Sequence, residues 1–302
     1  MKTIITHPNF DYMWENIVES NQQWIVKAEV NFKSFDDSWP DLFVNKVKEL
    51  IEHKDVTYIW DFSKPKDLFF NYALINWILD YYADKVRVIL PYFPVWTMER
   101  IDVKGEIATA KYFADIMSNL PSWRSWKTSL HIFDIHALQE RFYFDSKQVN
   151  TEAHTAMNLL WEHIEWKTIV FPDDWAKKRF WRDFPDNETL SFSKIRNWDK
   201  REMTLQWWDI DWKDALLVDD LIQSWWTIIE ATKILKDLWA KSITAFSTHW
   251  VFPNWSAKKV AKVVDKLIVT DSIPKNIERA KKIENMEILS LQSDIEKLIF
   301  NS

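Results

Sequence analysis

Short apolar runs alternate with amphipathic stretches along most of the chain. Val56 to Ile59, Val86 to Leu90, Leu130 to Phe133, Thr168 to Phe171, Ala215 to Val218, Ile243 to Ser247, Leu267 to Val269 and Ile288 to Leu289 have the length and composition of buried strands. Helical spacing of apolar residues fills several of the gaps, over Leu68 to Tyr82, Ile107 to Met117, Glu152 to Ile164 and Thr227 to Leu238. Strand and helix in alternation predict an α/β protein with mainly parallel sheets flanked by helices. Three of these strands precede residue 145 and five follow it, so two α/β domains are expected, 1–148 and 149–302. In such sheets ligands sit beyond the C-terminal strand ends, where Phe133-Asp134, Pro172-Asp173 and Val218-Asp219 place acids.

Composition removes several function classes. A formal charge of −6 with interspersed acids and bases argues against nonspecific nucleic-acid binding. The absence of cysteine excludes disulfides and thiolate metal sites and fits a reducing compartment. Met1 to Phe10 lacks a basic segment followed by an apolar run, and no stretch approaches the roughly 18 apolar residues of a membrane span. A soluble, unprocessed, cytoplasmic protein with no membrane partner is expected.

The chain has 21 tryptophans and one glycine in 302 residues. An ordinary chain of this length carries roughly 21 glycines, at about 7%. The tryptophans also stand where backbone physics asks for glycine. Trp239 follows a helical run, at the place of a left-handed C-terminal cap. Trp166 and Trp212 each come just before a strand, and Pro253-Asn254-Trp255-Ser256 reads as a turn. We therefore read most of these positions as glycine in the natural protein, encoded by a codon such as UGA that another translation table assigns to tryptophan. Gly105 then comes from an ordinary glycine codon.

Ala215 to Glu230 reads as a buried strand, the acids Asp219 and Asp220, a polar turn and a helix start. That is the layout of a phosphate-binding loop, in which backbone N–H groups at a helix N-terminus face the anion. With glycine at 225 and 226 the segment resembles the signature loop of the phosphoribosyltransferase and phosphoribosyl pyrophosphate synthetase superfamily. The block Phe133 to Phe142, with Asp134-Ile135-His136-Ala137, resembles ribose-phosphate pyrophosphokinases and has no counterpart in the transferases. Leu90 to Arg100, Gly105 to Ala110 and Phe171 to Ala176 look like the plant-type, class II branch of that family once Trp96 and Trp175 are read as glycine. The resemblance is dense from about Ile89 to Thr270 and loose before it.

The resemblance implies two phosphoribosyltransferase-like domains and transfer of diphosphate from ATP to ribose 5-phosphate. It implies Asp219, Asp220, Gln223, Ser224 and Thr227 as the sugar-phosphate site. His136 and Asp173 are implied as ligands of a Mg²⁺ ion that bridges the ATP phosphates. Lys194 and Arg196 form a Lys-x-Arg pair, implied to act catalytically from a flexible loop, with Lys200-Arg201 as a second basic pair. Phe35, Asp37, Thr97, Glu99 and Arg100 are implied to contact ATP, with Phe35 stacking on adenine. Thr97 and Met98 depart from the Arg-Gln of class I enzymes, which removes the basis for class I nucleotide contacts and allosteric control. Homo-oligomers are implied as well. Two rival readings are a phosphoribosyltransferase and, with genuine tryptophans at 225 and 226, a catalytically silent synthetase-like subunit.

Overall fold

The computed structural model describes all residues except 1, 22–23, 122–126, 198–199, 207–209, 223–224, 252–255 and 301–302, with backbone alone at 16, 18–21, 66, 96–97, 194–197, 200–206 and 256. The chain forms two compact units, 1–154 with 292–302, and 155–291. The division expected after residue 148 moves for two reasons. Residues 149–154 pair with a strand of the first unit, and the last helix returns to that unit.

Unit 1 contains β1 (Lys2–Thr6), β2 (Ile25–Lys27), a hairpin of β3 (Val30–Ser34) and β4 (Pro40–Val44), then β5 (Asp55–Ile59), β6 (Lys85–Leu90), β7 (Thr128–Phe133) and β8 (Val149–His154). Its main sheet has the order β2-β1-β5-β6-β7-β8 with every pair parallel. Helices α1 (Asp11–Asn21), α2 (Val47–Leu50), α3 (Leu68–Asp80) and α4 (Thr109–Met117) lie between the strands in sequence. The central strands are buried along almost their whole length, as in β6 from Val86 to Leu90, which is why they read as continuous apolar runs. Residues 152–164 do not form the expected helix. Strand β8 ends at His154, and Met157–His163 is a short 3-10 segment.

Unit 2 contains β9 (Lys167–Phe171), α5 (Asp174–Phe180), β10 (Thr189–Asn197), β11 (Lys200–Gln206), β12 (Asp214–Ile222), α6 (Trp225–Asp237), β13 (Ser242–Trp250), α7 (Ser256–Ala261), β14 (Lys266–Thr270), α8 (Ile277–Ala280) and β15 (Met286–Leu289). The order is β11-β10-β9-β12-β13-β14-β15, parallel except for the antiparallel β10–β11 pair. Alternate residues of the central strands feed two cores. Leu217, Ala245 and Leu267 pack with Ile228 and Leu235 of α6, while Leu216, Phe246 and Ile268 pack with Ala176 and Phe180 of α5. Helices on both faces therefore fix the sheet, and its C-terminal edge is left for chemistry.

The C-terminal helix α9 (Gln292–Phe300) buries Ile295 and Ile299 and belongs to unit 1, where Lys2 Nζ donates to the carbonyl of Ile299. No described helix is long and apolar enough to cross a membrane.

Trp166, Trp212 and Trp239 all adopt the left-handed conformation, with φ of 61°, 57° and 63°. Their rings are among the most exposed in the molecule, at 89%, 74% and 72%. Around Trp239, Ala240 N–H donates to Leu235 at 3.0 Å and Trp239 N–H to Lys236 at 3.0 Å. These are the two bonds of a Schellman cap, whose C′ position favours glycine. Ser38, Lys46, His53, Tyr82 and Asp134 also take positive φ, and Tyr82 occupies a similar cap after α3. Gly105 has φ of 107°, a value that L side chains rarely adopt. Trp60 is fully buried against Phe62 and Phe113, and its indole N–H has no partner among the described residues. An unsatisfied buried donor costs about 1–3 kcal/mol.

Candidate active site

In unit 2 the chain builds outward from β9 to β10 and β11, then from β12 to β13, β14 and β15 on the other side. The order reverses between the neighbours β9 and β12, and the C-terminal ends of strands at such a switch point form a crevice. Asp173 stands two residues past β9, and Asp219 and Asp220 stand near the end of β12. The topology thus brings the three acids together.

Strand β12 runs further than its sequence suggests. Asp219 still pairs with Ser247, and Leu221 and Ile222 pair with His249 and Trp250 of an equally long β13. The two acids lie inside the ladder rather than in a turn after it. Asp220 is buried, and its N–H donates to Asp219 Oδ1 at 3.0 Å. Burial pushes the Asp219 carboxyl well above its usual range, and the adjacent Asp220 and then Asp173 push it further. Three crowded carboxyl groups make a site that a hard cation or a polyhydroxyl ligand would relax.

Asp173 has a local role besides. It is the N-cap of α5, and its Oδ1 accepts from Trp175 N–H at 3.1 Å and Ala176 N–H at 3.0 Å. These bonds satisfy two of the orphan donors of the helix and hold the carboxylate at the strand end.

Helix α6 opens at Trp225, so Trp225 and Trp226 occupy its first turn. Their indoles stack with centroids 3.8 Å apart, and Lys259 Nζ lies 4.3 Å from the Trp225 ring centre. Trp225 packs against the core and Trp226 is exposed. A pair of indoles thus sits where a phosphate loop would present bare amides. Thr227 lies in the same turn, while Gln223 and Ser224 fall outside the described residues. Lys259, on α7, was not singled out by motif reading. The signal available was Lys258-Lys259 following the turn residues Pro253 to Ser256.

Lys194 and Arg196 were expected on a flexible loop. The structure instead places both in β10, with Lys194 opposite Met203 and Arg196 opposite Arg201 in the β10–β11 ribbon. Apolar Phe192, Ile195 and Leu205 interrupt the polar residues often enough to sustain strand pairing, and their spacing was too sparse to stand out in the sequence. The side chains of Lys194 and Arg196 lie outside the description.

The remaining expected residues belong to unit 1. Phe35 and Asp37 sit at the tip of the β3–β4 hairpin, where Phe35 is exposed and Asp37 Oδ1 accepts from Trp39 N–H at 3.2 Å. Thr97 is in a 3-10 turn over Pro94–Met98, with its side chain outside the description. Glu99 lies 3.8 Å from Arg100 Nη1, and the Glu99 carbonyl accepts from the Tyr143 hydroxyl. Arg100 also pairs with Asp102 at 3.1 Å, so its charge is balanced locally. His136 is exposed two residues after Asp134, which is buried and left-handed with φ of 37°. His136 and Asp173 are in different units, each placed beyond a strand end of its own sheet.

Comparison with known proteins places these residues in context. A family profile described as the phosphoribosyl synthetase-associated domain matches residues 182–302. Ribose-phosphate pyrophosphokinase 3, chloroplastic, of Arabidopsis thaliana is 34% identical over 280 residues, covering 88% of this chain and 68% of the relative. Ribose-phosphate pyrophosphokinase 4 of Oryza sativa subsp. japonica is 33% identical over 292 residues, covering 92% and 89%. The crystal structure of phosphoribosylpyrophosphate synthetase from Mycobacterium smegmatis superposes with a TM-score of 0.81 at 18% identity, over 99% of this chain and 98% of that one. That superposition carries the fold, two mainly parallel α/β units.

Proposed function

The chain belongs to the ribose-phosphate pyrophosphokinase family, on its plant-type branch, and from that premise we propose that it transfers the diphosphate of ATP to ribose 5-phosphate, giving phosphoribosyl pyrophosphate and AMP. The observation that carries this reading is the convergence of Asp173, Asp219 and Asp220 at the switch point beside the start of α6.

In this reading the anomeric hydroxyl oxygen attacks the β-phosphorus in line. A new P–O bond forms there, the bond to the α–β bridging oxygen breaks, AMP leaves, and the hydroxyl proton passes to solvent. No covalent enzyme intermediate is needed, so catalysis rests on positioning and charge. Asp219 and Asp220 accept from the ribose hydroxyls, and the amides of the 223–227 segment with Thr227 hold the 5-phosphate. Lys194 and Arg196 bring positive charge to the transferring group from the β10–β11 ribbon. Phe35, Asp37, Thr97, Glu99 and Arg100 form the nucleotide side, and assembly into a homo-oligomer in the cytoplasm completes the reading.

The donor set suits Mg²⁺, which takes carboxylate oxygens and keeps several waters, and a bound cation would relieve the crowding that raises the Asp219 carboxyl. Asp173 is the unit 2 residue we assign to it, and His136 rests on the family resemblance alone. When bound, the ion neutralises phosphate charge as the transfer proceeds.

We further propose that the natural protein carries glycine at 225 and 226. With tryptophan at both, the indole pair fills the place of the phosphate, and the silent-subunit reading applies to that form. The deciding experiment is turnover of ribose 5-phosphate with Mg-ATP by two chains, one as written and one with glycine at 96, 166, 175, 212, 225, 226, 239 and 255, the positions singled out above. Formation of phosphoribosyl pyrophosphate by the glycine chain supports the proposal. A well-folded glycine chain with no turnover refutes it.

A further inference from the structure

Unit 1 contains a cluster of metal-binding side chains that the proposed reaction does not use. His131 lies in the middle of β7, and Glu152 stands directly opposite it on β8, the edge strand of the sheet. His154 follows two residues later on β8, so it shares a face with Glu152. The parallel register therefore gathers all three onto one face. His131 Nδ1 is 2.8 Å from His154 Nε2 and 3.7 Å from Glu152 Oε2, and the three donor atoms lie within 4.8 Å of one another.

The surrounding groups orient these donors. Ser129 Oγ lies 3.1 Å from His131 Nε2, so a proton on that nitrogen leaves Nδ1 as the lone-pair donor. Asn150 Nδ2 donates to Glu152 Oε1 at 2.8 Å, on the oxygen away from the cluster. Burial holds both imidazoles in the neutral, ligating form, with His131 down to about 3, lowered further by His154 and Arg87. Glu152 and Asp294 of α9 provide negative charge around His154, and Arg87 opposes them on the His131 side.

We propose that His131, Glu152 and His154 bind one divalent transition-metal ion of the zinc type, which clamps edge strand β8 to β7. Zinc sites have Zn–N and Zn–O distances of about 2.0–2.2 Å, which put tetrahedral donors about 3.3 Å apart. The imidazole nitrogens must open by about 0.5 Å, and the carboxylate must close by about 0.4 Å on His131 and by up to about 1.5 Å on His154, within reach of a half-exposed glutamate side chain. Without metal, the two nitrogens share a proton at the observed hydrogen-bond distance. A ligand set of two imidazoles and one carboxylate favours zinc-like ions over Mg²⁺, so this site is chemically distinct from the one assigned to catalysis.

The test is metal uptake, independent of catalysis. Metal-free full-length protein is titrated with Co²⁺ and with Zn²⁺, followed by equilibrium dialysis and, for Co²⁺, by visible absorption. One equivalent is expected, with a tetrahedral Co²⁺ spectrum that Zn²⁺ displaces. His154→Gln should abolish the spectrum, and Glu152→Gln, at a half-exposed position that should not disturb folding, should weaken uptake at least tenfold. His136→Gln should leave uptake unchanged. Absence of stoichiometric binding, or equal binding in the folded His154→Gln and Glu152→Gln chains, would overturn the proposal and leave an imidazole–imidazole hydrogen bond alone.

Discussion

Replacing Trp166, Trp212 and Trp239 together with glycine should stabilise unit 2. Each holds φ near 60°, where a side-chain-bearing residue costs roughly 1–2 kcal/mol. The gross relief is then about 3–6 kcal/mol for three sites. Glycine returns part of it, roughly 0.5–1 kcal/mol per site, through the greater freedom of the unfolded chain. Little burial is lost, because the three rings are 72% to 89% exposed. At mid-range a net gain of about 2 kcal/mol remains, or roughly 7 °C in the melting midpoint of a domain of this size. The sites are measured as a set, because Trp212 N–H donates to the Trp239 carbonyl at 3.0 Å and neighbours couple. The assay is thermal unfolding by circular dichroism, with the triple alanine variant as control. Alanine removes the indole but keeps Cβ, so it should recover only a small part of the gain. An equal midpoint for the alanine and glycine variants, or no rise in the glycine variant, would refute the argument from backbone strain.

Other consequences are measurable. Trp225→Gly with Trp226→Gly should create ribose 5-phosphate binding that calorimetry detects only weakly or not at all in the chain as written; tight binding to the original chain would remove the steric argument. Asp173→Ala should lose about 0.5–2 kcal/mol of stability with the N-cap, whereas Asp173→Asn keeps the cap and loses the charge, so only Mg²⁺ dependence should change. Because the folded state raises the Asp219 pKa, its favourable contribution is complete below the ordinary value near 3.8 and is lost as pH rises through the raised one. Urea midpoints against pH should therefore fall less steeply in Asp219→Asn than in the parent. Lys194→Ala and Arg196→Ala should each lower kcat by about 10²–10³ in the glycine chain with little change in ribose 5-phosphate affinity, read by steady-state kinetics and calorimetry.

The legible parts of this fold were those with strong apolar patterning. The eight strands visible in the sequence correspond to β5, β6, β7, β9, β12, β13, β14 and β15, each largely apolar in its centre. The hairpin β3–β4 and the edge strand β8 were not visible, because half-exposed strands carry polar residues on their outer face. In Val149–His154 only Val149 is fully buried, and the apolar residues that follow imitate a helical period. At the site, the strand-end rule singled out Asp134, Asp173 and Asp219 in the sequence, and Asp173 and Asp219 do stand near the C-terminal ends of β9 and β12. It did not show that β12 continues past Asp219 and Asp220, since that depends on pairing with β13. Nor could spacing reveal that Asp173 spends one oxygen on capping α5, or that Lys259 comes to lie over Trp225. The glycine deficit was plain in composition, and Trp166, Trp212 and Trp239 have left-handed backbones.

The return of α9 to unit 1 makes unit 2 an insertion in the first domain's chain. During synthesis, the amino-terminal domain must wait for its final segment until the whole of the second has been made. Its Lys2 contact partner, the Ile299 carbonyl, is made only after the whole of unit 2. A frameshift within unit 2 would accordingly also act on the first unit, and a loss of α9 would be felt as a failure of the amino-terminal fold.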